Sequence, residues 1–248
     1  MNVQIEVAGE KALFSDPLIS AGGEKLSLEI PTYQALVGVL KSIYWKPTFL
    51  WVIDRVRIMN PIQMEAIGTK LPKYGGENSD LAYYTYLKNV RYQVEAHIEW
   101  NFNRPEFIED RSAKKHYEIF QRRLESGGTY PVFLGKKECM ADVYPMPFGT
   151  GQGHYDHSRL VDFGMCYHGI TYADEAYDDA TKGAISIRLA KIVMQDGIIV
   201  FPPPKDCFHK ILHRSKMKIF HEKEKKEISS KQETPKKRNR RRRYRVIK

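Results

Sequence analysis

Residues 91–100, RYQVEAHIEW, alternate polar and apolar without a break, and a period of two held over that length specifies a strand and excludes a helix. Tyr92, Val94, Ala96, Ile98 and Trp100 fall on one side; Arg91, Gln93, Glu95, His97 and Glu99 fall on the other. A strand with one apolar face needs neighbours along its edges and a layer over that face. The rest of the chain must therefore supply further strands and something to cover them.

The candidates come in a definite order. Val3, Ile5 and Val7 alternate with Gln4 and Glu6, which predicts a first strand. After a long loop through Gly22 and Gly23, Thr32 is placed to cap a helix over Tyr33–Tyr44. That helix carries Leu36, Val39, Leu40 and Ile43 at helical spacing, and Pro47 stops it. FLWVIDRVRI predicts a second strand, and a Gly-rich, Lys-bearing loop around Lys70–Asp80 leads to the alternating third. A second helix over Ala113–Gly128, AKKHYEIFQRRLESGG, closes on Gly127 and Gly128, and an extended segment over Phe133–Tyr144 completes the series.

Strand, helix, strand, strand, helix, strand predicts an α+β protein with a ferredoxin-like (βαββαβ) N-terminal domain over residues 1–144. After Pro145, PMPFGTGQG reads as a connection, and strands are expected over Arg159–Tyr172, Ile185–Gln195 and Ile198–Phe201, with Asp196 and Gly197 as a two-residue hairpin turn. A small antiparallel β-sheet domain over 145–215, packed beside the first, is the expectation. Residues 216–248 are rich in charge and poor in aromatics, which predicts a basic, disordered tail.

The net charge of +10 lies entirely in that tail: residues 216–248 hold 15 Lys and Arg against 4 Asp and Glu, residues 1–215 hold 25 against 26. The tail suits attachment to nucleic-acid phosphates, whereas the body must rely on local clusters. Cys139, Cys166 and Cys207 are odd in number and far apart, which fits neither a disulfide framework nor a CxxC metal knuckle. MNVQIEVAGEK lacks the pattern of a secretory signal and no apolar run approaches a membrane span, so a cytoplasmic protein with no membrane partner is expected.

The second helix carries the chemistry. His116 sits between Lys114, Lys115 and the pair Arg122 and Arg123, a proton-transfer group beside fixed positive charge. At 100° per residue Ala113, Tyr117, Phe120 and Leu124 share an apolar face, with His116 and Arg123 at its boundary, so His116 need not be buried. A plain surface helix, with Glu118 pairing Lys114 or Arg122 four residues away, fits the same pattern. The βαββαβ topology adds a constraint, because it brings the C-terminal end of the first helix to the N-terminal end of the second. Tyr44 and Trp45 are therefore expected beside Lys115 and His116, about 70 residues away in sequence. The helix N-terminus there favours a bound phosphate and a neutral histidine.

Weaker signals point elsewhere. GTGQG at Gly149–Gly153 precedes no helix, so a plain turn is expected rather than a nucleotide cradle. His154, Asp156 and His157 are metal-capable but lack further ligands, and no metal or cofactor is expected. His97 receives no role.

Several stretches resemble a known family. GGEKLS (Gly22–Ser27), PTYQAL (Pro31–Leu36), SIYWKP (Ser42–Pro47), PIQME (Pro61–Glu65), YTYLKNVRYQVEAH (Tyr84–His97), KHY (Lys115–Tyr117) and FLGKKEC (Phe133–Cys139) are similar to the type I-C CRISPR-associated proteins of the Cas five family, d subtype. The resemblance extends to about residue 215 and leaves the tail unmatched. It implies an endoribonuclease that cuts the repeat hairpin of precursor CRISPR RNA, stays with the mature guide RNA, and serves as a subunit of the type I-C interference complex. It also implies a catalytic trio at Tyr44, Lys115 and His116, and a 2′,3′-cyclic phosphate product formed without metal. Trp45, Lys114, Arg122 and Arg123 are then expected RNA contacts; duplex DNA is a further expected partner on the charge of the tail, apart from the resemblance. The alternative is a non-catalytic RNA-binding subunit that caps the 5′ end of the guide; an RRM-like module ranks behind both, because its aromatic RNP signature is missing.

Overall fold

The computed structural model describes residues 2–15, 25–72, 79–178 and 181–214; the expected loop through Gly22 and Gly23 and the expected tail 216–248 lie outside the described residues. In chain order, β1 (Asn2–Ala12) and the short β2 (Lys25–Leu26) precede α1 (Tyr33–Ile43), and β3 (Phe49–Ile58), β4 (Met64–Pro72) and β5 (Ser79–Trp100) follow. A 3-10 turn over Pro105–Asp110 leads into α2 (Ala113–Glu125). Then come β6 (Val132–Phe133), β7 (Met140–Pro145), β8 (Val161–Thr171), β9 (Ala184–Gln195), β10 (Ile198–Val200) and β11 (Phe208–Arg214). The protein is mixed α/β, a mostly antiparallel sheet with few helices.

β5 is the hub, as its alternation requires. Its second half lies between β1, where Ile5 faces Val94 and Val7 faces Tyr92, and β3, where Ile53 faces Ala96 and Val56 faces Val94. β1 in turn pairs with β7, so the sheet runs β7-β1-β5-β3. Leu36, Leu40 and Ile43 of α1 and Phe120 and Leu124 of α2 join the same buried cluster as these strand residues. Thr32 caps α1 as expected, its Oγ1 accepting from Ala35 N–H at 3.2 Å.

Four expectations need correction. Part of the segment read as a loop around Lys70–Asp80 is paired strand, with Met64 facing Leu87 and Lys70 facing Leu81. Gly68, Thr69, Lys70 and Leu71 in this arm are all exposed, so that run carries no inside–outside alternation for a sequence to reveal. It joins the main sheet at Asn89, whose φ of 48° lies in the left-handed region that asparagine tolerates. Secondly, Phe133–Tyr144 is two short strands, β6 and β7, rather than one.

Thirdly, the polar side of β5 is covered at Gln93 and Glu95, while Arg91 and Glu99 to either side stay exposed. Gln93 and Glu95 are buried because the connection after Pro145 lies over them. Gln93 donates to Thr150 O at 2.6 Å and accepts from Gly149 N–H at 2.9 Å, and Arg57 donates to the Gln93 carbonyl at 3.2 Å. GTGQG thus turns its backbone inward onto side-chain amides, and buried polar groups end up paired. Fourthly, the strands after Pro145 do not form a separate domain. Asp196 (φ 50°) and Gly197 (φ 74°) make the expected turn, and β10 then pairs with β3, Ile199 facing Val56. Residues 1–215 form one compact unit.

The turn between β6 and β7 depends on Gly135. Its φ is 90°, and a Cβ there would sit 1.9 Å from the Leu13 carbonyl oxygen, on backbone that cannot retreat because Leu13 N–H bonds Leu134 O at 3.1 Å. Gly135→Ala combines a left-handed backbone penalty with overpacking, and is expected to cost about 2–5 kcal/mol, read as a lower urea midpoint at unchanged slope.

Candidate active site

The site forms where α1 ends and α2 begins. Pro47 cannot continue α1, and Tyr44 already turns extended (φ −157°, ψ 131°) while its N–H still bonds Leu40 O. Trp51 Nε1 on β3 donates to the Tyr44 carbonyl at 2.9 Å and fixes the root of the ring. Register places Phe49 of β3 opposite Trp100 of β5 at this end of the sheet.

His116 packs into that corner, its ring centroid 5.1 Å from Phe49 and 5.9 Å from both Trp100 and Tyr44. It is 2% exposed, which corrects the expectation that it need not be buried. The buried stripe of α2 is His116, Phe120 and Leu124; Ala113 is exposed and Tyr117 half-buried, so the helix is rotated towards the histidine. Burial is tolerable because both ring nitrogens have partners. Nε2 lies 2.8 Å from the Asp110 carbonyl oxygen and Nδ1 lies 2.8 Å from Tyr44 Oη. A carbonyl only accepts, so Nε2 carries the proton. In the neutral ring Nδ1 is then the acceptor and the Tyr44 hydroxyl the donor.

Asp110, which the sequence did not single out, ties the site together. Its Oδ1 accepts from Lys115 Nζ at 2.5 Å, its Oδ2 accepts from Thr48 Oγ1 at 2.8 Å, and Oδ2 lies 3.6 Å from His116 Nε2. The hydrogen bond from Lys115, helped by Thr48 and by His116, holds the Asp110 carboxyl below the usual carboxylate range. Tyr44 moves the other way: burial, with Asp110 adding to it, pushes its phenol above the ordinary value. A standing phenolate is therefore disfavoured, whereas proton transfer through the hydroxyl is not.

Tyr44 is 7% exposed, while the Lys115 side chain is 55% exposed, so the cluster has a buried acid–base pair and a cation at its mouth. Trp45, 50% exposed, flanks it. The other basic residues stay outside: Lys114 reaches Glu118 at 4.0 Å, Arg122 Nε bonds Glu118 O at 3.4 Å, and Arg123 lies exposed in the last turn of α2. Asp156 is taken by Arg57, 2.6 Å from Nη2, and by Gly153 N–H at 2.8 Å. Among the described residues no group of three His, Cys, Asp or Glu is arranged to hold a metal ion.

Fold and site together define a class: an α/β sheet protein with a buried, hydrogen-bonded tyrosine–histidine pair beside a lysine–aspartate ion pair. Within that class the family is specific, for the chain belongs to the family described as CRISPR-associated protein (Cas_Cas5), whose Cas5d profile matches residues 3–202. A CRISPR pre-crRNA endoribonuclease Cas5d from Mannheimia succiniciproducens is 28% identical over 147 residues, 50% of this chain and 63% of the relative, less than two thirds of its length. A protein of the same description from Thermus thermophilus is 27% identical over 183 residues, 70% of this chain and 75% of its own. A solved structure of a functionally uncharacterized protein from Streptococcus mutans is 34% identical, with a TM-score of 0.69 over 85% of this chain and 97% of that one.

Proposed function

We propose that the protein is a metal-independent endoribonuclease that cleaves the repeat hairpin of precursor CRISPR RNA and remains with the product in the type I-C interference complex. The observation that carries this reading is the hydrogen bond between Tyr44 and His116, 72 residues apart, beside Lys115. Both curated relatives bear the description pre-crRNA endoribonuclease. The strand order β7-β1-β5-β3, with α1 leading into β3 and α2 leading towards β7, supports a ferredoxin-like core for this activity. No described helix is long and apolar enough to cross a membrane.

In this mechanism the ribose 2′-OH attacks its neighbouring phosphorus. Its proton passes to Tyr44 Oη as Tyr44 hands its own to His116 Nδ1, so the phenol relays charge without becoming a phenolate. The resulting imidazolium keeps its Nε2 hydrogen bond to Asp110, whose carboxylate stabilises it. An RNA phosphate takes the place of the Asp110 carboxylate at Lys115, one anion exchanging for another. The ammonium stabilises the phosphorane and gives a proton to the departing 5′ oxygen. The products are a 2′,3′-cyclic phosphate and a 5′-hydroxyl.

The test is cleavage of the cognate repeat RNA in excess chelator, with ribose or 2′-deoxyribose at the scissile position. The ribose substrate is expected to give the cyclic phosphate and the deoxy substrate to stay whole; efficient cutting of the deoxy substrate would rule the mechanism out. Tight binding without any cleavage would instead favour a guide-capping subunit.

The basic tail adds duplex DNA as a proposed partner. Deleting residues 216–248 removes a net +11 and is expected to weaken DNA binding and flatten its salt dependence. RNA cleavage, carried by residues of the compact unit 1–215, should persist.

A further inference from the structure

A cleft of about 650 Å³ opens beside Trp100, lined among others by Trp100, Asn101, Phe102, Asn103, Tyr177 and Lys182. That volume falls within the range of sites that hold small organic groups. The cleft shares two parts with the site. Trp100 packs against His116, and Asn101 N–H bonds Thr48 O at 2.9 Å while Thr48 Oγ1 bonds Asp110.

Phe102 is the unusual member. A phenylalanine 76% exposed beside a catalytic cluster has no packing role to explain it, yet its ring is not loose. The Arg111 guanidinium lies 5.0 Å from the ring centroid, and Arg111 Nη2 is itself held by Asn101 O at 3.1 Å. One side of the ring is thus braced by a cation while most of its surface faces solvent, the arrangement of a stacking platform. The amides are ordered too: Asn103 Nδ2 donates to Ala176 O at 2.9 Å, and Asn101 Oδ1 accepts from Asn103 N–H at 3.1 Å.

Charge decides what kind of group fits. Glu99 and Asp178 line the cleft alongside Lys182, so it offers no surplus of positive charge to a phosphate. Aromatic faces with oriented amides and no net cation suit an uncharged, flat, hydrogen-bonding ring. We infer that this cleft binds an unpaired nucleobase next to the scissile linkage, with Phe102 as the stacking residue. The inference deepens the endoribonuclease reading and rests on it for the position of the cut. Splaying a flanking base out of the RNA stack also frees its ribose and phosphate to adopt the in-line geometry that 2′-OH attack requires.

The experiment pairs Phe102→Ala and Phe102→Trp with repeat RNAs that carry 2′-deoxyribose at the cut and one abasic nucleotide moved across the flanking positions, and reads equilibrium affinity. Phe102→Ala is expected to weaken binding of intact RNA by roughly 5- to 100-fold, the worth of one base–aromatic stack, and Phe102→Trp to retain it. At one flanking position the abasic RNA should weaken wild-type binding equally and Phe102→Ala no further. Phe102→Ala binding like wild type, or losing affinity further with every abasic RNA, overturns the inference. Because the readout is binding, the cycle can succeed even where ribose RNA is not cut, which would sink the nuclease reading and leave the cleft standing.

Discussion

His116→Ala is expected to slow single-turnover cleavage by about 10²–10⁴-fold, the range for loss of a positioned acid–base group. Two partners lose their bonds in that variant, Tyr44 Oη and the Asp110 carbonyl, each buried or half-buried. A buried polar group left unpaired costs about 1–3 kcal/mol, so part of any loss could reflect the fold rather than the chemistry. His116→Gln separates the two. A glutamine amide keeps a donor and an acceptor in the pocket and cannot take up a proton at neutral pH. It should restore the urea midpoint towards wild type and leave cleavage as slow as in the alanine variant. Tyr44→Phe then tests the relay: the ring still fills the corner beside Phe49, but nothing links the 2′-OH to Nδ1. If the phenylalanine variant cuts at the wild-type rate, His116 meets the substrate without Tyr44.

What the sequence disclosed and what it withheld divide along a physical line. The strict alternation of residues 91–100 identifies the hub strand, and the order of elements is enough to bring Tyr44 to His116. Both follow from backbone periodicity, which a sequence carries directly. The burial of His116 does not follow from periodicity. It depends on Phe49 and Trp100 meeting across β3 and β5, and on a 3-10 turn that delivers the Asp110 carbonyl to Nε2. Asp110 was equally hidden, since Glu106, Glu109 and Asp110 stand close together and only the turn geometry distinguishes one from the others. The buried face of Gln93 and Glu95 misled for a related reason. Alternation of polarity equals alternation of exposure only where nothing covers the polar side, and here residues 147–156 do. The same lack of a local signal concealed the join between β10 and β3, a pairing between strands about 140 residues apart.

Lys115→Ala is expected to reduce kcat by about 10²–10³-fold and to raise KM as well, and the split between the two is informative. In the proposed mechanism Lys115 does two things at once: it offers positive charge to the phosphorane, and it neutralises Asp110 in the resting site. Removing it leaves a carboxylate facing the incoming phosphate with Thr48 as its remaining hydrogen-bond donor. The rise in KM is then repulsion by Asp110, and the fall in kcat is loss of the cation. Adding Asp110→Asn to Lys115→Ala should therefore recover much of KM and none of kcat; recovery of both would mean that Lys115 acts only by silencing Asp110. Stability supplies a second readout. A carboxyl held below its unfolded value contributes stability that is complete above about pH 4 and is lost as the pH falls through its folded value. Without Lys115 that depression loses its largest cause, so the acid limb of the stability profile should become shallower in Lys115→Ala. Lys115→Arg keeps the charge and should preserve the acid limb while still cutting slowly, because a planar guanidinium cannot reproduce the geometry of an ammonium or readily give up its proton to the 5′ oxygen.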